Sequence, residues 1–293
     1  MQFRGWAIAF SVATMGLAHS GRAEETKPVA EKQVRVIGDY ADAYRLARET
    51  RRMLAIYFYR DGDEGSRDSF ESRFLSEPSV QARLGGCVVA TLPTSTRVVV
   101  SGESERLLNH PAFREAHGLP GVVIIDLAHP QSRHYGRVVT VFPLKAGRTL
   151  TPPYFAEMLA LPPGSLTQRT LVFAVRVHPE RPASARSDFS NVLAAESESH
   201  SRYQADLGVQ GHHDWDTRFH RINASFAGLT AQEVCAESWP GQDLVDAAFE
   251  CVDSWRQSPG HWSAVQSRHR FFGFDMKRGR NGIWYGTGIF ARR

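Results

Sequence analysis

Along the chain, short continuous apolar runs alternate with stretches in which apolar residues recur every three or four positions. This is the pattern of strands interleaved with helices. Helices are expected over Asp42 to Arg52, Asp68 to Leu84, Ser104 to His117 and Pro153 to Leu161. Gly118 stops the third, and Pro162-Pro163-Gly164 stops the fourth. Strands are expected over Met53 to Tyr59, Cys87 to Leu92, Gly121 to Asp126 and Arg137 to Phe142, where β-branched and aromatic residues concentrate. That order describes a complete α/β domain within residues 24–165. Leu166 to Val177 reads as an apolar, strand-like run and His178 to Ala183 as a stiff connector, so residues 166–186 are expected to be a linker.

Residues 187–293 read as a second domain. Ser187 or Asp188 is placed to cap a helix whose Phe189, Val192, Leu193, Tyr203 and Leu207 share one face, and Gly208 ends it. A further helix from about Gln242 to Gln257 carries Leu244, Ala248, Cys251 and Trp255 as a core stripe and stops at Ser258-Pro259-Gly260. Phe271 to Met276 and Ile283 to Phe290 read as strands joined through Asn281-Gly282. Helices on an antiparallel sheet are the expected result. No internal repeat or low-complexity tract interrupts either half.

The N-terminus has a different character. Arg4 supplies a positive start, Trp6 to Ala18 an apolar or small-residue run, and Gly21-Arg22-Ala23 small residues at a cleavage position. Residues 1–23 thus read as a secretory signal, and the protein as exported, periplasmic or extracellular. The run is shorter than the ~20 apolar residues that span a bilayer, and no later segment reaches that length, so no transmembrane segment is expected in the mature chain.

Composition adds bounds. With 42% hydrophobic and 23% charged residues the chain has the make-up of a folded protein. The formal charge of +4 is partly owed to Arg4 and Arg22 in the leader, and no basic stripe interleaved with aromatics follows. Nucleic acid is therefore not an expected partner. Three cysteines are too few for a disulfide scaffold. Cys235 and Cys251 could pair in an oxidising compartment, or all three thiols could be buried as small hydrophobes. No zinc-protease His-Glu-x-x-His, nucleophile elbow, phosphate loop or dinucleotide fingerprint occurs. Cys235 with His261 would make a thiol–imidazole pair, against which stands a core role for the thiol.

The strand and helix order of residues 24–165, with Gly118-Leu119-Pro120-Gly121 leading into an apolar strand, resembles the thioredoxin-like fold. The resemblance implies a cis-proline at Pro120. Where a redox pair would follow the first core strand, the chain reads Arg60-Asp61-Gly62-Asp63-Glu64-Gly65-Ser66-Arg67, without a thiol. Disulfide exchange needs an attacking and a resolving thiol, so redox catalysis is not expected. Cys87 starts a buried strand, where its pKa is raised. Asp61, Asp63 and Glu64 could hold a cation or be a solvated loop.

In the second half, four strings occur in the order His200-Ser201, Gly211-His212-His213-Asp214-Trp215 through Arg218, Ala236-Glu237-Ser238, and Trp255-Arg256-Gln257-Ser258-Pro259-Gly260-His261. Together with Gly273 to Asp275 and Trp284 to Phe290 they resemble the CAP superfamily (SCP-like, cysteine-rich secretory and pathogenesis-related proteins). The resemblance implies an α-β-α sandwich in which His212, Glu237 and His261 converge on an open cavity, which in some members binds a divalent metal such as zinc. Two imidazoles and a carboxylate suit zinc. The chain has Ser238 where the family has Asn, and Ser258 where many members place a second carboxylate, with His213, Asp214 or Asp216 as substitutes. The other reading of the two histidines is as buried residues that fix loops on the sheet. The resemblance further implies an exported binding module for a lipid, glycan or peptide, beside a redox-inactive thioredoxin-like scaffold. The alternative is a metal-dependent hydrolase of extracellular peptide or cell-wall substrates, with Glu237 as base or ligand.

Overall fold

A computed structural model describes residues 35–100, 102–226 and 228–292. The expected leader over residues 1–23 lies outside them. The described residues belong to one compact unit.

The first half builds a five-stranded mixed sheet in the order β1-β3-β2-β6-β7. In chain order it contains β1 (Val36–Ile37), α1 (Tyr40–Thr50), β2 (Met53–Tyr59), α2 (Glu64–Ser69), α3 (Pro78–Leu84) and β3 (Cys87–Pro93). There follow a separate hairpin of β4 (Arg97–Val100) and β5 (Glu103–Arg106), then β6 (Gly121–Ile125), β7 (Val138–Pro143) and α4 (Pro152–Leu159). β1, β3 and β2 run parallel, and β6 and β7 are antiparallel to their neighbours. Asp39 caps α1 by accepting from the Asp42 amide at 2.8 Å.

Several expectations change here. The helix expected over Asp68 to Leu84 is broken by a π-helical turn, Phe70–Phe74, ahead of Pro78. Residues Ser104 to His117 are not a helix: β5 gives way to two 3-10 turns, Leu107–Asn109 and Pro111–Ala116. Pro111 cannot donate to a helix that spans it, so the chain restarts there. Pro120 is not cis, since the described residues contain no cis peptide bond.

The strand-like run Leu166 to Val177 is a helix, α5 (Leu166–Val177), with a capping box between Ser165 and Gln168. Residues 168–175 are all buried, because α5 packs against both β7 of the first sheet and the second half. Its continuous apolar run Leu171 to Val175 is what reads as a strand, since a short buried helix segment and a buried strand share that pattern. The segment expected to link two domains is therefore a shared core element.

The second half contains β8 (Asp188–Phe189), α6 (Asn191–Leu207), α7 (Trp215–Ser225), β9 (Thr230–Glu237), α8 (Leu244–Gln257), α9 (Pro259–Gln266), β10 (Phe271–Arg278) and β11 (Trp284–Arg292). Its sheet has the order β8-β10-β11-β9, with β9 at an edge. One face meets α5 and α8: Cys251 Sγ lies 3.1 Å from where a Cβ on Gly286 would stand. The other face meets α6 so closely that a Cβ on Gly273 would fall 2.2 Å from the Ala194 nitrogen.

The face α6 buries is only in part the expected one, with Leu193 on it. Val192, Tyr203 and Leu207 are exposed, while Leu193, Ala194, Ser197, His200, Ser201 and Gln204 are buried. Of these, Ser197, His200, Ser201 and Gln204 are polar, and three of them bond to the sheet. Ser197 donates to the Gly273 carbonyl at 3.0 Å, Ser201 to the Asp275 carbonyl at 2.9 Å, and Gln204 to Thr287 Oγ1 at 2.9 Å.

Candidate functional site

The site begins where α6 stops. Gly208 ends the helix in a left-handed conformation, and the Gln204 side chain accepts from the Gly211 amide at 3.0 Å, folding the next loop back onto the helix. This presents His212 at the edge strand β9. Ser258 ends α8 and opens α9 at Pro259, which brings His261 to the same edge. The two Nε2 atoms lie 3.2 Å apart, with His212 about half exposed.

Behind His212 stands Glu233. Its Oε1 is 3.0 Å from His212 Nδ1 and its side chain is 1% exposed. A carboxylate only accepts, so Nδ1 carries the hydrogen and the Nε2 lone pair faces His261. Arg218, from α7, holds Glu233 with contacts of 2.7 and 2.5 Å to its two oxygens. Burial alone would raise the Glu233 carboxyl, but the His212 hydrogen bond and the neighbouring cationic groups, Arg218 among them, hold it below the usual carboxylate range. Burial, followed by the nearby His212, depresses His261, and burial with the Arg218 charge depresses His200.

Of the three expected site residues, the structure brings His212 and His261 together. Glu237 is exposed at the end of β9, and among the described residues no hydrogen bond or ion pair joins it to either imidazole. Glu233, on the same strand face four residues earlier, occupies the place expected of it. Strand alternation puts Glu233, Cys235 and Glu237 on one face; which of the two carboxylates meets His212 depends on where the α6–α7 loop crosses β9, which spacing does not encode. The substitutes weighed for a second carboxylate lie elsewhere. His213 contacts the Val209 carbonyl at 3.3 Å, Asp214 occupies the α7 cap and Asp216 is exposed.

His200, Glu233 and Cys235 place one potential ligand atom each within 4.8 Å of one another. That triad is already satisfied. His200 Nε2 is 2.8 Å from the Gly211 carbonyl, which fixes its hydrogen there, and the Arg218 guanidinium already neutralises Glu233. The Cys235 thiol is pushed well up, first by burial and then by Glu233, so it is a neutral neighbour and not a nucleophile.

Cys235 and Cys251 are free thiols. Cys235 is the register partner of Thr287, on the α6 face, whereas Cys251 sits over Gly286, on the α8 face. Successive residues of β11 point to opposite sides, so the sheet itself separates the two sulfurs. Cys87 is also free and buried, its pKa pushed up to about 11. The acidic loop is engaged locally: Asp61 accepts from the Ser95 amide at 3.1 Å, and Asp63 caps α2 through the Ser66 amide at 3.0 Å.

Comparison with known proteins assigns no family. No family model matches the chain, and no curated protein matches it. Among solved structures, an outer surface protein from Borrelia burgdorferi is similar over 36% of this chain and 77% of its own, at 17% identity and a TM-score of 0.30. A thioredoxin from Thermus thermophilus is similar over 44% of this chain and 85% of its own, at 20% identity and a TM-score of 0.27. No helix among the described residues is long and apolar enough to cross a membrane.

Proposed function

We propose that this is an exported binding protein whose second half is an SCP-like layer carrying a divalent-metal site at His212 and His261, and whose first half is a thioredoxin-like scaffold without thiol chemistry. The observation that carries the metal reading is the 3.2 Å between the two Nε2 atoms. Two imidazoles on one tetrahedral zinc at about 2.0–2.1 Å stand about 3.4 Å apart, so the pair needs little adjustment. Glu233 on Nδ1 is the outer carboxylate that orients a metal-bound imidazole and raises its basicity.

Two protein ligands leave coordination positions for a bound ligand's oxygen or for water. A lipid, glycan or peptide carrying such an oxygen is the class of partner this reading admits. The export part rests on the N-terminal sequence pattern, and the scaffold part on the absence of a thiol between Arg60 and Arg67.

The test is elemental analysis and zinc titration of wild type, His212→Ala, His261→Ala and Glu233→Gln. One zinc per chain is expected in wild type, none in either histidine variant, and affinity about 10- to 100-fold weaker in Glu233→Gln. Wild type that binds no zinc ends the metal reading. Hydrolysis of peptide or glycan substrates by the zinc-loaded protein, absent from both histidine variants, would replace the binding module with the hydrolase.

A further inference from the structure

The first half contains a cleft where sequence periodicity leads one to expect a helix. Because residues 104–117 form a strand end and two 3-10 turns, the sheet face beside α1 is covered incompletely. A cavity of about 320 Å³ opens there, with Ile125 and Val138 from the sheet, Tyr40 and Tyr44 from α1, and Val98 and Phe113 among its walls. That volume lies at the lower end of the roughly 300–1,000 Å³ of small-molecule pockets. The β4–β5 hairpin belongs to neither large sheet, and it leaves Val99 and Val100 at the cleft 73% and 38% exposed.

Tyr40, Tyr44 and His110 each bring a hydrogen-bond donor to this lining. Tyr40 and Tyr44 have no side-chain hydrogen-bond partner among the described residues, and the Tyr44 hydroxyl lies 3.9 Å from where a Cβ on Gly136, another lining residue, would stand. His110 Nδ1 accepts from the Ala112 amide at 3.2 Å, which leaves the hydrogen of the neutral ring on Nε2. Burial, with the neighbouring Tyr44, pushes Tyr40 up to about 12, so its phenol stays protonated at neutral pH. No acidic side chain lines the cavity.

We propose that this cleft binds a small amphiphile, an apolar chain with a carboxylate head that accepts from Tyr40, Tyr44 and His110. Apolar walls of this size take a medium-length acyl chain, and phenol and imidazole donors with no acidic side chain beside them favour an anionic head over a cationic one. The inference is independent of the His212–His261 site.

Titration calorimetry of the purified protein in EDTA, with decanoate and with decyltrimethylammonium below their micelle concentrations, tests it. The two probes share the chain and differ in the head. Decanoate is expected to bind one per chain and at least ten-fold more tightly than the cation. Val98→Trp, which fills the cavity, should abolish binding. The Tyr40→Phe, Tyr44→Phe double variant should weaken decanoate at least ten-fold with an unchanged melting temperature. No decanoate binding to wild type, equal binding of the two heads, or undiminished binding by the double variant would each overturn the proposal. Should Val98→Trp not fold, the double variant, which removes only two oxygen atoms, decides.

Discussion

At the scale of single residues, the chemistry around His212 is set by what stands behind it. Glu233 is buried and ionised because the His212 hydrogen bond and the two short contacts from Arg218 hold its charge, and removing Arg218 or Glu233 would strand the other's charge away from water. Depressed values at His200, His261 and Glu233 of the site, shared by His134 and His269 elsewhere, make the fold acid-sensitive. The imidazoles bind protons more readily in the unfolded chain, so their stabilising contribution is complete above the unfolded value of about 6.5 and is lost as pH falls through their lower folded values. Glu233 adds a further loss below the unfolded carboxylate value of about 4.3. Thermal melts are therefore expected to show a melting temperature that declines steadily between pH 7.5 and pH 4. A melting temperature that stays flat over that interval contradicts the lowered imidazole values.

At the scale of elements, α6 shows how close approach dictates composition. Its contact face joins Leu193 and Ala194 to Ser197, Ser201 and Gln204, and Gly273 is the residue that lets the β10 backbone approach the helix. Gly273→Ala would drive a methyl into the α6 backbone, which can yield only by moving the helix. The expected cost is about 3 kcal/mol or more, read as a lowered midpoint in urea unfolding at unchanged slope. A change below about 0.5 kcal/mol would mean that α6 sits farther from the sheet. Val192, Tyr203 and Leu207 of the same helix lie at the surface.

At the scale of the whole molecule, α5 joins the halves. It contributes Leu171, Val172, Phe173, Ala174 and Val175 to one continuous core that runs from Ala43 to Phe290. Arg148, between β7 and α4, adds an ion pair of 2.7 Å to Asp243, at the start of α8. A shared core predicts one unfolding event. All the tryptophans except Trp6 lie beyond residue 214, so their fluorescence reports the second half alone, whereas far-ultraviolet circular dichroism reports both. The two thermal transitions are expected to coincide. Midpoints separated by several degrees would show halves that unfold independently.

What the sequence determined by itself is whatever depends on near neighbours along the chain. Met53 to Tyr59 and Cys87 to Leu92 read as strands, Leu244 to Trp255 reads as a buried helical stripe, and the Ser258-Pro259-Gly260 break sets the start of α9. The ordered strings marked His212 and His261 as candidates, and the structure brings them together. Tertiary structure alone decided what depends on partners far away in sequence. The place of α5 between the two halves filled it with the continuous apolar run Leu171 to Val175, which a local pattern does not tell from a buried strand. The crossing of the α6–α7 loop over β9 selected Glu233 over Glu237, and the alternation of β11 put Cys235 and Cys251 on opposite faces. A local period records which side of an element is apolar; what that side meets, and at what distance, is fixed only when the elements come together.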